Sequence, residues 1–194
     1  MTKQLILLPV LVLIGGGALF VASSRAAYES ARYEVVSKDG EIELRRYAPM
    51  VVATTAIASG ERNNGFARLF RFISGENESN QKIAMTTPVF MPSDADGKPA
   101  TMQFVLPAEI EKAGAPRPTG SAVGLESRPG GLFVAIRFRG YGSQKKQRKA
   151  LDTLAAWVKT TGRTAKGDPI FAYYDPPWTP EFMRRNEVLI EIAE

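Results

Sequence analysis

Apolar and polar residues alternate along short stretches of this chain, and Gly and Pro cut the alternation into a series of strands. Tyr33 begins a β-prone segment, Asp39 and Gly40 supply a hairpin turn, and residues 42–47 (IELRRY) form the return strand. Pro49 breaks that run, and residues 51–57 (VVATTAI) read as a third strand. Asn63, Asn64 and Gly65 then open a helix. On it Phe66, Leu69, Phe70 and Ile73 stand at i, i+3, i+4 and i+7, one apolar face, and Gly75 stops it. Residues 83–91 and 102–106 read as two more strands, joined by the turn-forming segment 92–99.

A Pro/Gly-rich connector from Pro107 to Gly120 separates this half from a second with a similar order. Residues 123–128 and 132–138 read as strands around the turn at Pro129–Gly131. A helix follows from about Gln144 to Thr160, with Leu151, Leu154, Ala155 and Val158 as its apolar face. Residues 169–174 and 187–192 supply the closing strands. Each half thus carries strands, then a helix, then strands. The expected fold is α+β: a pseudo-two-fold duplicated unit, forming a twisted antiparallel β-barrel with two flanking helices. The domain is expected to span residues 28–194, its halves lying at about 33–107 and 121–194.

Before that domain, Lys3 precedes an 18-residue apolar run from Leu5 to Ala22, followed by small residues through Ala27. Two readings stand for residues 1–27: a cleaved secretory signal or a retained membrane anchor. The run falls short of the roughly 20 residues a spanning helix needs, and Pro9 and three glycines interrupt it, which favours the signal. The domain is therefore expected in the periplasm, or held against the inner membrane by its N-terminal segment.

Composition removes whole classes of chemistry. The chain has no Cys and no His, so disulfides, thiolate catalysis, Ser-His-Asp triads and imidazole-bound zinc are all excluded. The commonest axial ligand of heme iron is missing as well. No pair of carboxylates sits in a motif that places both in one cleft, and no Gly-rich phosphate cradle is present. The expectation is a protein without enzymatic activity. A net charge of +5, spread along the chain, is too modest for nucleic-acid binding. The one dense basic run, Lys145, Lys146, Arg148 and Lys149, reads as a solvated helix start, with a membrane surface as the alternative partner.

Two apolar groups remain unassigned. Phe72 lies off the stripe of the first helix between Arg68 and Arg71. It could present its ring to a flat carboxylated ligand whose acid groups meet the guanidinium forks, or pack under a loop beside solvated arginines. Trp178 follows Pro176 and Pro177 and precedes Phe182. It could wall a pocket or simply cover one end of the barrel.

Several segments in order resemble the SOUL/heme-binding protein family. They are Lys82–Val89 (KIAMTTPV) after Asn77, Met102–Pro107 (MQFVLP), Pro116–Pro118 (PRP), Tyr174–Pro177 (YDPP) and Arg184–Val188 (RRNEV). The resemblance implies the same two-fold barrel and a shallow apolar cleft beside the first helix that takes heme or another tetrapyrrole. It puts Phe66 and Leu69 at apolar cleft positions, Arg71 at a basic one and Trp178 in the bordering loop. With Arg68 and Phe72 from the helix itself, these six residues are the candidate binding set. Because no His is present, any heme would be held mainly by apolar contact and carboxylate–Arg pairing, or capped by Tyr, Met or Lys, and metal-free porphyrin becomes an equal candidate. The implied role is non-enzymatic buffering or transport by a monomer. A cofactor-free protein- or membrane-interaction domain is the alternative.

Overall fold

The computed structural model describes residues 28–57, 62–94 and 97–194, so the expected leader at 1–27 lies outside the described residues. Its strands are β1 (Glu29–Ser30), β2 (Tyr33–Asp39), β3 (Ile42–Tyr47), β4 (Met50–Ala56), β5 (Thr86–Thr87), β6 (Val89–Pro92), β7 (Thr101–Val105), β8 (Gly124–Arg128), β9 (Gly131–Arg139), β10 (Ala165–Tyr173) and β11 (Arg185–Ile192). The helices are α1 (Arg62–Ile73), α2 (Ala108–Ala113) and α3 (Gln144–Thr160), with a 3-10 turn at Glu181–Met183. The connector read as an irregular Pro/Gly segment thus contains the short helix α2. The expected strand at 83–91 is divided at Pro88 into β5 and β6, because proline has no N–H to give a continuous ladder.

Nine strands make one curled antiparallel sheet in the order β2-β3-β9-β11-β10-β6-β7-β4-β8. The two-fold repeat is legible in that order. Moving outward from the central β10–β6 pair, one side runs β11, β9, β3 and the other runs β7, β4, β8. The first strand of each half therefore pairs with the second strand of the other. This exchange joins the halves into a single half-barrel, with β2 added at one edge. The β2 edge carries Glu34, Lys38 and Asp39, charges that discourage pairing with another chain.

Strand alternation sorts the sheet's residues into two cores. Leu132, Val134 and Ile136 of β9, with Val188 and Ile190 of β11, face the long helices; Phe133, Ala135 and Leu189 face the inside of the curl. On α3 the buried positions are Gln147, Ala150, Leu154 and Val158. Ala155, expected on this face, is exposed, and Leu151 is only half-buried. Leu154 is fully buried, a placement that contributes about 1.5–3 kcal/mol.

α1 is rotated from the expected setting. Its buried residues are Gly65, Leu69, Phe72 and Ile73, while Phe66 and Phe70 reach solvent. Gly65 explains the rotation, because a Cβ there would run into the Ile57 side chain. The helix lies so close to the end of β4 that only hydrogen fits. Gly65→Ala should therefore destabilise the domain by about 1–3 kcal/mol, despite alanine's better helix propensity, as measured by urea unfolding. A neutral or stabilising result would contradict this close approach.

Candidate functional site

The turned-out face of α1 carries an aromatic platform. Phe66 and Phe70, one helical turn apart, stack with ring centroids 5.9 Å apart and planes 14° from parallel. Phe104 of β7 meets the Phe66 ring edge-on at 5.3 Å and supports it from beneath. The two rings are 40% and 50% exposed, which is unusual for phenylalanines that could have joined the core. Arg71, at the C-terminal end of α1, reaches Glu76 at 3.3 Å, and both side chains stand mostly in solvent. Arg68 is tied down: its Nε donates to Thr55 Oγ1 at 2.9 Å and its Nη2 to the Ala56 carbonyl.

Five of the six candidate residues thus share one helix, but not one face. Phe66, Arg68 and Arg71 lie outside, whereas Leu69 and Phe72 are core residues at 0% and 2% exposure. Of the two placements open to Phe72, packed or presented outward, the structure shows the packed one; the rotation of α1 sends it inward and sends Phe66 and Phe70 out. Trp178 is 76% exposed on the loop before the 3-10 turn, and among the described residues no hydrogen bond or ring contact joins it to α1. Phe70 was assigned to the core by its spacing, and its part in the platform was missed. The i, i+4 pair of phenylalanines was the available signal. Arg62, also missed, places its guanidinium 5.6 Å from the centre of the Tyr173 ring at the other end of the helix.

Inside the curl lies the densest polar cluster, and its carboxylate is saturated. Arg45 donates to Glu187 through Nη1 at 2.6 Å and Nη2 at 3.1 Å, with both side chains buried. Arg185 adds a 2.7 Å contact to the same carboxylate, and Tyr174 donates its hydroxyl at 2.9 Å. The Arg45 and Arg185 guanidinium groups lie over the rings of Tyr33 and Tyr174 at 4.4 and 3.9 Å. Burial pushes the Glu187 carboxyl up, but hydrogen bonds and charge from Arg45 and Arg185 outweigh it and hold the group below the usual carboxylate range. Burial raises the Tyr47 hydroxyl to about 12. Among the described residues no buried side-chain nitrogen or oxygen lacks a partner. With five donors from Arg45, Arg185 and Tyr174 on the Glu187 carboxylate, this cluster braces the sheet.

The sign of the Glu187 shift fixes an acid dependence. A carboxyl depressed in the folded state adds stability above its unfolded pKa, and the gain is lost as pH falls through the folded value. The urea midpoint should be level above about pH 5 and fall steadily below about pH 4. A midpoint that holds or rises on acidification would contradict the pairing.

Beside this cluster, Tyr47, Met50, Phe90, Arg128, Phe133 and Leu189 help line a cavity of about 160 Å³. Drug-sized ligands occupy about 300–1,000 Å³. The cavity suits a single ring and is too small for a macrocycle.

A family model described as SOUL heme-binding protein matches residues 28–191, nearly every residue described. The chain belongs to the SOUL heme-binding family. It is similar to human heme-binding protein 2, with 30% identity over 133 residues, covering 64% of each chain. The mouse heme-binding protein 2 is 28% identical over 167 residues and 80% of each chain. The match therefore spans just under two thirds of the human SOUL protein. Among solved structures, the EcmrR C-terminal domain superposes with a TM-score of 0.57 at 14% identity, over 84% of this chain and 98% of that one. A Listeria innocua protein described as a hydrolase gives 0.54 at 12%, over 81% and 94%. At such identities these two share the SOUL chain's fold alone.

Proposed function

We propose that this chain binds heme or another tetrapyrrole on the outer face of α1 and holds it in the cell envelope as a buffer or carrier, without catalysing a reaction. The observation that carries this reading is the exposed, nearly parallel stack of Phe66 and Phe70. A macrocycle covers such a surface by apolar burial and ring contact, the main attraction open to a protein with neither imidazole nor thiolate. Arg71 is the guanidinium able to meet a propionate. Its pair with Glu76 is solvent-exposed, worth little and readily exchanged. Membership of the heme-binding family supports the same ligand class.

The platform suits the flat face and acidic edge of a tetrapyrrole, while the chain brings no His or Cys to iron. Hemin and protoporphyrin should consequently bind residues 28–194 with similar affinity, saturably and at micromolar concentration or tighter, as read by absorbance and fluorescence titration. Phe66→Ala/Phe70→Ala should weaken both ligands at least tenfold, and Arg71→Ala by about three- to tenfold, while Trp178→Ala leaves both unchanged. Binding that never saturates, or that ignores the loss of both rings, would overturn the assignment.

A further inference from the structure

A second set of exposed aromatic residues lies outside α1. Tyr141, Trp178 and Phe182 are 61%, 76% and 62% exposed, and three polar links draw them into one loop cluster. The Arg184 guanidinium covers the Tyr141 ring at 4.3 Å and donates to the carbonyls of Pro177 and Thr179, on either side of Trp178. Arg139 donates to the Phe182 carbonyl at 3.4 Å. Lys146, in the first turn of α3, meets Glu181 at 2.9 Å. The cluster therefore holds its rings outward on a braced loop.

The charge on this loop and at the start of α3 is mostly positive. Arg139, Arg184 and Lys146 contact the loop, Lys146 being paired with Glu181, and Lys145, Arg148 and Lys149 stand exposed on the first two turns of α3, ahead of Asp152. Lys145, Lys146 and Lys149 are spaced so that they adjoin along α3. Large rings beside cations match the interface of an anionic bilayer. There indole and phenol settle at headgroup depth, and lysine and arginine meet lipid phosphates. We propose that this end of the domain is a docking surface for an anionic lipid membrane.

Residues 28–194 contain every described strand and helix and both cores, so they serve as the folded unit for the test, in which no tetrapyrrole is present. Its outcome is thus independent of the platform on α1. In a Trp157→Phe background Trp178 is the sole indole. The domain should sediment with vesicles of phosphatidylcholine plus about 30% phosphatidylglycerol, but not with phosphatidylcholine alone, and Trp178 emission should shift to the blue. Each lost cation should cost about fivefold in partitioning, so Lys145→Glu/Lys149→Glu should lower it more than tenfold. Trp178→Ala/Phe182→Ala, exposed changes that spare the core, should lower it by about tenfold. No sedimentation with the anionic vesicles, equal sedimentation with both vesicle types, or partitioning indifferent to both double variants would overturn the proposal. So would concentration-dependent self-association abolished by Trp178→Ala, which would make the occupant a second copy.

Discussion

Glu187→Leu should cost about 3–5 kcal/mol, a large share of the 5–15 kcal/mol that holds a typical domain together. The cost comes from the donors that the leucine leaves without an acceptor. Arg45 has its side chain 2% exposed and would keep only Glu43, at 2.8 Å, as an ionic partner. Arg185 and the Tyr174 hydroxyl would lose the same acceptor. Arg45→Met/Glu187→Leu should recover the part of the loss that comes from stranding Arg45, while Arg185 and the Tyr174 hydroxyl still lack their acceptor. Urea unfolding of the two single variants and the double variant gives the coupling directly. Single variants each within 1 kcal/mol of the parent would show that the cluster braces nothing.

Phe72→Ala carries the second large effect, about 3–5 kcal/mol, since the ring is 2% exposed and its loss opens a cavity between α1 and the sheet. Tetrapyrrole affinity of the molecules that remain folded should be unchanged. Phe66→Ala/Phe70→Ala should show the opposite pattern, with a small stability loss and a large affinity loss. Unfolding curves alongside porphyrin titrations separate the two. If Phe72→Ala weakened binding at parental stability, the core and platform assignments of α1 would have to be exchanged.

That contrast marks how far the candidate site could be read from residue order. A helix opening at Asn63–Gly65 and stopping at Gly75 was legible from its spacing, whereas a ligand cleft beside it came only from the family resemblance. Yet this helix carries two apolar sets, Phe66, Leu69, Phe70 and Ile73, and Gly65, Leu69, Phe72 and Ile73, which share two members. Periodicity scores the first set higher because glycine has no hydrophobicity to count. Space decides otherwise. Ile57 leaves room at position 65 for hydrogen only, and the helix turns until that position faces it. The same limit applies on α3, where Ala155 fitted the pattern but the curvature of the sheet left it uncovered. Trp178 stands out in the sequence, after Pro176 and Pro177 and ahead of Phe182. The grouping of its loop with Tyr141, Phe182 and Arg184 depends on contacts between segments about 40 residues apart, which no local pattern encodes.

Residue order alone determined the α+β class, the repeated strands-helix-strands unit, the long helix at Gln144–Thr160, the absence of imidazole and thiolate chemistry, and the family. Those properties reside in local periodicity, turn chemistry and composition, which act over a few residues at a time. Tertiary structure alone decided which face of α1 meets the sheet, how the halves exchange their first strands, and how Arg45 finds Glu187 across 142 positions. These are outcomes of packing and desolvation between distant segments. A buried charge takes whatever partner the fold delivers, and a helix turns its narrowest face to its nearest neighbour.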